Sequence, residues 1–201
     1  MGEKTYVAGN PALNGTDHLV IVSGCSGGGK SSLLAEMSRR GYPVMPEPGR
    51  QIVKEQLFVG GPGLPWVSDK KFAELCVSRG VHFFNSAQAG DRPVLFDRSI
   101  LDNICALMRG GTDIPPYLTS ALKRYRYASR VFLVPPWPEL FAADAERRHS
   151  FADAVAEYEH LLACYPANGY EVVLIPKASV GARADFLEEM LARDGLSSGH
   201  S

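Results

Sequence analysis

The sequence predicts an α/β fold in which one parallel sheet of roughly five strands lies between two layers of helices. Short apolar runs rich in Val, Ile, Leu and Phe alternate with longer segments whose apolar residues recur at the helical period. Strands separated by helices lie parallel and are joined by right-handed crossovers. The strands are expected, all buried, at residues 18–23, 42–46, 93–97, 130–136 and 170–176.

The helical segments fill the gaps between the expected strands and follow the last one. Capping signals support several of their boundaries: Gly41 follows the first helix, Pro116 opens the fifth, and Ser150 and Ser179 precede the last two. Their apolar faces are expected at residues 33–37, 52–57, 72–83, 101–108, 118–125, 151–162 and 186–191.

The composition is that of one folded domain. The 201 residues are 45% hydrophobic and 21% charged, with a net charge of −1. The lack of a basic excess argues against nucleic acid as a partner. We expect mobile polar tails at residues 1–16 and 195–201, one domain at 17–194, and a lid at about 137–163.

The cysteines and the apolar runs predict the cellular location of the protein. The first 17 residues are polar, and no apolar run approaches the length of a membrane span, so a cytoplasmic protein without a membrane partner is expected. None of the cysteines forms a CxxC pair, which favours free thiols over a zinc site or a disulfide framework. They are Cys25, Cys76, Cys105 and Cys164.

A glycine-rich loop, GCSGGGKS at residues 24–31, follows the first strand and precedes the first helix. Glycines let backbone N–H groups turn towards phosphate oxygens, and the helix adds its positive N-terminal end. Lys30 is expected to reach the β- and γ-phosphates, and Ser31 to hold Mg²⁺. A chance glycine-rich turn is the alternative. The expected phosphate-binding residues are Gly24, Ser26, Gly27, Gly28, Gly29, Lys30, Ser31 and Ser32.

Two strand ends carry further candidates. Glu47 and Arg50 follow the second strand, where a carboxylate can take a proton from an acceptor and an arginine can hold phosphate. Alternatively, Glu47 complements a helix dipole and Arg50 is its surface partner. Asp97 and Arg98 end the third strand. There Asp97 would hold Mg²⁺, and Arg98 would stabilise the charge on the transferred phosphoryl group. The alternative for Asp97 is an N-cap of the next helix.

The remaining candidates lie in loops. Arg147 and Arg148 in the lid would close over the transferred phosphoryl group, unless they form a solvated charged turn. Trp66 follows a Gly/Pro loop and would help to form a wall of the acceptor pocket. By position, residues 176–183 would pass near the nucleotide base, with the flat side of Lys177 or Arg183 against it.

Read together, these motifs resemble the nucleoside and nucleotide kinases of the P-loop group. Glu47-Pro48 is similar to the Glu-Pro of deoxynucleoside kinases, where the Glu acts as base, and Glu47-Pro48-Gly49 to the E-P-G of thymidylate kinases. Asp97-Arg98-Ser99 resembles their D/E-R-[SY] motif. Residues 17–193 resemble more closely a bacterial "AAA domain" family related to NadR-type ribosylnicotinamide kinases. These resemblances imply sheet order 2-3-1-4-5, ATP and Mg²⁺.

The sequence also departs from its relatives. Pro46 stands where thymidylate kinases have an Arg before E-P-G, and Asp97 where deoxynucleoside kinases usually have Glu. The Walker B Asp-Glu pair of AAA+ motors is missing, because Arg98 follows Asp97.

The leading hypothesis is a kinase that transfers the γ-phosphoryl group of ATP to a hydroxyl or phosphate of a nucleoside-like small molecule. The main alternative is a nucleotide-binding switch with slow hydrolysis and no small-molecule acceptor. A signalling or toxin-antitoxin kinase acting on a macromolecule is a third interpretation. A guanine signature is not seen near the fifth strand, which favours ATP over GTP.

Overall fold

One five-stranded parallel sheet organises the chain, with strand order β2-β3-β1-β4-β5. The computed structural model describes residues 7–10, 16–88, 90–141 and 150–196. The strands are β1 (Leu19–Gly24), β2 (Val44–Met45), β3 (Val94–Asp97), β4 (Arg130–Val134) and β5 (Glu171–Leu174). The helices are α1 (Lys30–Arg39), α2 (Pro48–Val59), α3 (Asp69–Ser86), α4 (Ile100–Arg109), α5 (Pro116–Arg124), α6 (Pro138–Phe141), α7 (Phe151–Ala167) and α8 (Val180–Arg193).

The central strand β1 is apolar throughout because it is covered on both faces. Ile21 pairs with Phe96 of β3 on one side and Val131 of β4 on the other. Leu19 and Ile21 pack into a core that includes residues of α3, α4 and α7, whereas Val20 and Val22 pack against residues of α1 and α8. Successive side chains of a strand point to opposite faces, so both faces of β1 require apolar residues.

The expectation that all strands are buried is wrong for the two edge strands. Both residues of β2 are only partly buried, and both ends of β5 are exposed. The Leu174 side chain is 51% exposed. An edge strand has a neighbour on one side only, and an apolar run in the sequence does not distinguish an edge strand from a central one.

The expectation of four free thiols is wrong for two of them. Cys105 of α4 and Cys164 of α7 form a disulfide across 59 residues of sequence. These helices pack side by side on the same face of the sheet, which cysteine spacing alone does not reveal. Cys25 and Cys76 are free and buried.

Part of the expected N-terminal tail is bound to the domain. Asn10 is 6% exposed, and its side-chain amide donates to the carbonyl oxygens of Phe84 (2.7 Å) and Ala87 (3.0 Å). The Gly9 amide donates to Asn85. Residues 9 and 10 are therefore anchored at the C-terminal end of α3.

Among the described residues, each helix is too short or too polar to cross a membrane.

Candidate active site

The candidate site lies at the carboxyl edge of the sheet, where the first three strands end. The phosphate loop follows β1, Glu47 follows β2, and Asp97 is the last residue of β3. Since β2, β3 and β1 are neighbours and parallel, these residues meet at one edge. The convergence that the sequence predicts for the loop, Glu47 and Asp97 follows from the strand order.

The phosphate loop has a backbone that favours glycine. Gly24, Gly27 and Gly29 have φ angles of 134°, 90° and 77°. A Cβ atom at Gly28 would lie 2.7 Å from the carbonyl oxygen of Pro135, which directly follows β4, so the close approach of this backbone also requires glycine there. Ser31, in the first turn of α1, is exposed.

Cys25 within the loop is not a reactive thiol. Its side chain is 1% exposed. Burial, and then the negative charge of Glu157, raises the pKa of the Cys25 thiol to about 11. Because only the thiolate is a strong nucleophile, this cysteine is unreactive at neutral pH.

Arg183 of α8 lies against the phosphate loop, and its expected place near the nucleotide base stays a prediction. It is 2% exposed, and its Nη1 donates to the carbonyl oxygens of Gly28 (3.2 Å) and Gly29 (3.3 Å). Its guanidinium lies 5.8 Å from the centre of the Trp137 ring. Burial lowers the pKa of Arg183. The flat side of Arg183 therefore faces Trp137, whereas Lys177 is exposed.

Lys30 and Asp97 form a buried ion pair. Lys30 Nζ lies 2.5 Å from Asp97 Oδ1, and their side chains are 7% and 11% exposed. The N-cap of α4 is Ser99, whose side chain accepts from the Leu101 amide, so the alternative that Asp97 caps this helix is wrong. Asp97 is instead directed towards the phosphate loop.

Arg98 lies at the centre of a cluster of carboxylates. Its Nη1 donates to Glu157 Oε1 (2.8 Å) and lies 3.7 Å from Asp102 Oδ1. Its Nε lies 3.3 Å from Glu47 Oε1 but makes no hydrogen bond. The φ angle of Arg98 is 68°, in the left-handed region that non-glycine residues seldom adopt. This unusual backbone is consistent with a functional constraint.

The electrostatics of the cluster keep its glutamates ionised. Burial alone would raise the pKa of Glu47, but the positive charges of Arg98, Lys30 and Arg50 hold it below its ordinary value. Burial opposes ionisation of Glu157 as well, and the charge and hydrogen bond of Arg98 hold its pKa low. Both carboxylates are therefore charged at neutral pH.

The family follows from a match that spans the sheet and the site. The family description "AAA domain" matches residues 19–183, from the first residue of β1 into α8. The chain belongs to this AAA-domain family. No curated protein matches the sequence. The family and the fold class that the sequence predicts are confirmed.

Solved kinases share the fold of this AAA-domain protein. The structure of deoxyadenosine kinase from M. mycoides with dCMP and a flexible dCDP bound has a TM-score of 0.62 at 16% identity, covering 87% of this chain and 100% of that one. The same kinase with dATP bound has a TM-score of 0.54 at 16% identity, with coverages of 86% and 98%. Thymidylate kinase from Candida albicans has a TM-score of 0.58 at 11% identity, with coverages of 88% and 92%.

The sequence did not identify two members of the cluster. Asp102 accepts hydrogen bonds from Ser23 Oγ, the Ser99 amide and Tyr165 Oη, so it links β1, α4 and α7. Its spacing of four residues from Arg98 and of three from Ser99 was a usable signal. Glu157 Oε2 accepts from the Ser26 amide of the phosphate loop at 3.4 Å. Local sequence carries no signal for this contact, because it depends on where α7 packs.

The other expected site residues lie in different places. Arg50 is 65% exposed, with its Nε 3.8 Å from Glu47 Oε2, and it lines a cleft of about 360 Å³ together with Glu47, Ser31 and Asp97. Glu47 is the N-cap of α2 but makes no capping hydrogen bond with its side chain. Trp66 is 48% exposed and does not line this cleft. Arg147 and Arg148 lie outside the described residues.

The site offers the ligands that Mg²⁺ prefers. The Asp97 carboxylate and the Ser31 hydroxyl both line the cleft, and oxygen ligands of this kind suit a hard cation. Lys30 and Arg98 are surrounded by four carboxylates: Asp97, Glu47, Asp102 and Glu157. This excess of negative charge favours binding of a divalent cation, whereas it opposes binding of a polyphosphate without one.

Proposed function

We propose that this AAA-domain protein is a small-molecule kinase, which transfers the γ-phosphoryl group of ATP to a hydroxyl or phosphate of a nucleoside-like acceptor. One observation carries the proposal: Glu47, an ionised carboxylate, and Asp97, which pairs with Lys30 of the phosphate loop, line the same cleft at one edge of the sheet. A protein that only binds phosphate does not need a carboxylate opposite the loop. An enzyme that transfers phosphate to a hydroxyl needs one to accept the hydroxyl proton.

The roles of the residues follow from their positions. Glu47 orients the acceptor hydroxyl and takes its proton. Lys30 and Arg98 stabilise the negative charge that develops on the transferred phosphoryl group. Asp97 and Ser31 would hold Mg²⁺, which supplies further positive charge between the phosphates. Arg147 and Arg148 of the expected lid are proposed to close over the same group.

The kinases of similar fold support this proposal over the alternative of a slow nucleotide-hydrolysing switch. By their names, they transfer phosphoryl groups to deoxynucleosides or nucleotides. In addition, the residue after Asp97 is Arg98, which is already engaged by Glu47 and Glu157 and is not the glutamate with which a motor ATPase activates water.

ADP release in the presence of MgATP and a panel of nucleosides, nucleotides, ribosylnicotinamide and sugars tests the proposal. We expect one class of acceptor to stimulate release. Glu47→Gln should slow the stimulated reaction about 10²–10⁴-fold, because the proton acceptor is lost, while MgATP binding is retained. Glu55→Gln is the matched control, since Glu55 lies on α2, which Glu47 precedes, but pairs with Arg79. A rate that is indifferent to all acceptors and to Glu47→Gln would contradict the kinase and favour the switch.

Glu157→Gln should strengthen MgATP binding about fivefold. In the described structure the Glu157 carboxylate accepts a hydrogen bond from the phosphate-loop amide of Ser26, so it competes with an incoming phosphate. Without this charged acceptor, we expect the binding free energy of MgATP to be more favourable by about 1 kcal/mol. Calorimetric titration of each protein with MgATP measures the change. Glu159→Gln, on an exposed position of the same helix, is the control, and weaker binding by Glu157→Gln would contradict the expectation.

A further inference from the structure

The cleft between α1 and α2 has two chemically different ends. Glu47 and Asp97 lie where the strands end, whereas Arg50 and Lys54 lie farther along α2 and are four residues apart, on one face of the helix. The floor between them is apolar. The lining residues are Ser31, Leu34, Ala35 and Ser38 of α1, Val44, Pro46 and Glu47 around the end of β2, Arg50, Gln51 and Lys54 of α2, and Asp97.

The two cations of this cleft have at most a distant partner among the described residues. Lys54 is exposed and has no ion pair or hydrogen bond with the described part of the chain. The contact of Arg50 with Glu47, at 3.8 Å, is longer than a hydrogen bond. Glu55, next to Lys54 in sequence, is paired with Arg79 instead.

The carboxylates of the cleft are engaged at its other end. Glu47 lies closer to Arg98, at 3.3 Å, than to Arg50, and Asp97 pairs with Lys30. Arg50 and Lys54 therefore line a cleft in which both carboxylates lie closer to other cations. Two adjacent cations suit a phosphomonoester, which carries close to two negative charges at neutral pH.

We propose that Arg50 and Lys54 bind a phosphate group of the acceptor, so that the substrate is an organic phosphomonoester whose separate hydroxyl reaches Glu47. The spacing agrees with such a molecule. Lys54 lies seven positions after Glu47, which corresponds to roughly 10 Å along the helix, and the long cationic side chains shorten the span. The apolar floor, with Leu34 and Val44, accommodates the ring or carbon body between the two ends. This inference rests on the proposed kinase function.

Matched acceptor pairs test the inference: ribose and ribose 5-phosphate, adenosine and AMP, cytidine and CMP. We expect the phosphorylated member of a pair to be the better acceptor. The double variant Arg50→Gln/Lys54→Gln should raise its KM about 10–100-fold and change kcat much less. Lys70→Gln/Lys71→Gln, at exposed positions of α3, should leave both constants unchanged. Equal use of the unphosphorylated member, or an unchanged KM in the double variant, would overturn the inference.

A binding measurement separates this inference from the kinase proposal. Ribose 5-phosphate and AMP are titrated by calorimetry into protein saturated with MgADP, which occupies the phosphate loop. If no acceptor stimulates ADP release, the kinase proposal fails. The proposed phosphate site at Arg50 and Lys54 is then supported if both phosphate compounds bind and Arg50→Gln/Lys54→Gln abolishes their binding. It is contradicted if neither compound binds, or if the double variant binds them as well as the wild type does.

Discussion

Replacing Arg98 with methionine is expected to lower the free energy of unfolding by about 3–5 kcal/mol, because it leaves buried charges without their partner. Glu47, Asp102 and Glu157 all lie within 3.7 Å of the Arg98 guanidinium. Methionine has a similar length and no greater restriction at the left-handed φ of this position, so the charge is the main change. Urea unfolding measures the loss. Arg124→Met, at an exposed position of α5, is the control and should change stability little.

The pH dependence of stability should change with the same substitution. The folded-state pKa values of Glu47 and Glu157 are held below their ordinary values, so these groups stabilise the fold above their unfolded pKa. That stabilisation is lost as the pH falls through the folded values. Without Arg98, burial raises both pKa values, so the variant no longer loses this stabilisation on acidification, and its deficit in the free energy of unfolding relative to the wild type should shrink as the pH falls. A stability difference between the wild type and Arg98→Met that stays constant or grows on acidification would contradict this expectation.

The catalytic effect of Arg98→Met should also be large. If Arg98 stabilises the transferred phosphoryl group, its loss slows acceptor-stimulated ADP release by at least about 10²-fold. Measurement well below the unfolding temperature of the variant separates this effect from instability. A variant that is less stable but fully active would assign Arg98 to structure alone.

The Cys105–Cys164 disulfide is expected to contribute about 4 kcal/mol to stability, because it closes a loop across 59 residues in the unfolded chain. Unfolding of the oxidised protein, with and without dithiothreitol, measures the contribution. The double variant Cys105→Ala/Cys164→Ala is the control, since the reductant should not destabilise it further. Equal stability of the oxidised and reduced wild-type protein, or four free thiols by mass spectrometry, would contradict the expectation.

The sequence predicts a cytoplasmic location, which stays a prediction, and a disulfide is unusual there. Thiols in the cytosol are normally kept reduced. Activity therefore has to be measured for both the oxidised and the reduced protein.

The part of the site that local sequence specifies was predictable. The loop from Gly24 to Ser31 needs a strand before it and a helix after it, and both are adjacent in the chain. Glu47, Asp97 and Arg98 could be placed because parallel strands end at one edge of the sheet. These predictions depend on short-range pattern and one rule of topology.

The rest depends on packing between distant segments. Glu157 reaches Arg98 from a helix 59 residues away, and no periodicity indicates which turn of α7 faces the loop. The burial of Asp102 and the Cys105–Cys164 pairing have the same origin, because both require α4 and α7 to lie together. The hydrogen bonds of Arg183 to the carbonyl oxygens of Gly28 and Gly29 likewise depend on where α8 packs.

The position of Arg183 late in the chain has a consequence for the phosphate loop during synthesis of the protein. The loop that it supports is synthesised early, but the arginine follows Gly28 by 155 residues. At 5–20 residues per second, a ribosome needs roughly 8–30 s to cover that distance. During this interval the nascent chain carries the complete phosphate-binding motif without the buried cation beneath it. A fragment that stops short of α8 would keep the whole motif and still lack this support.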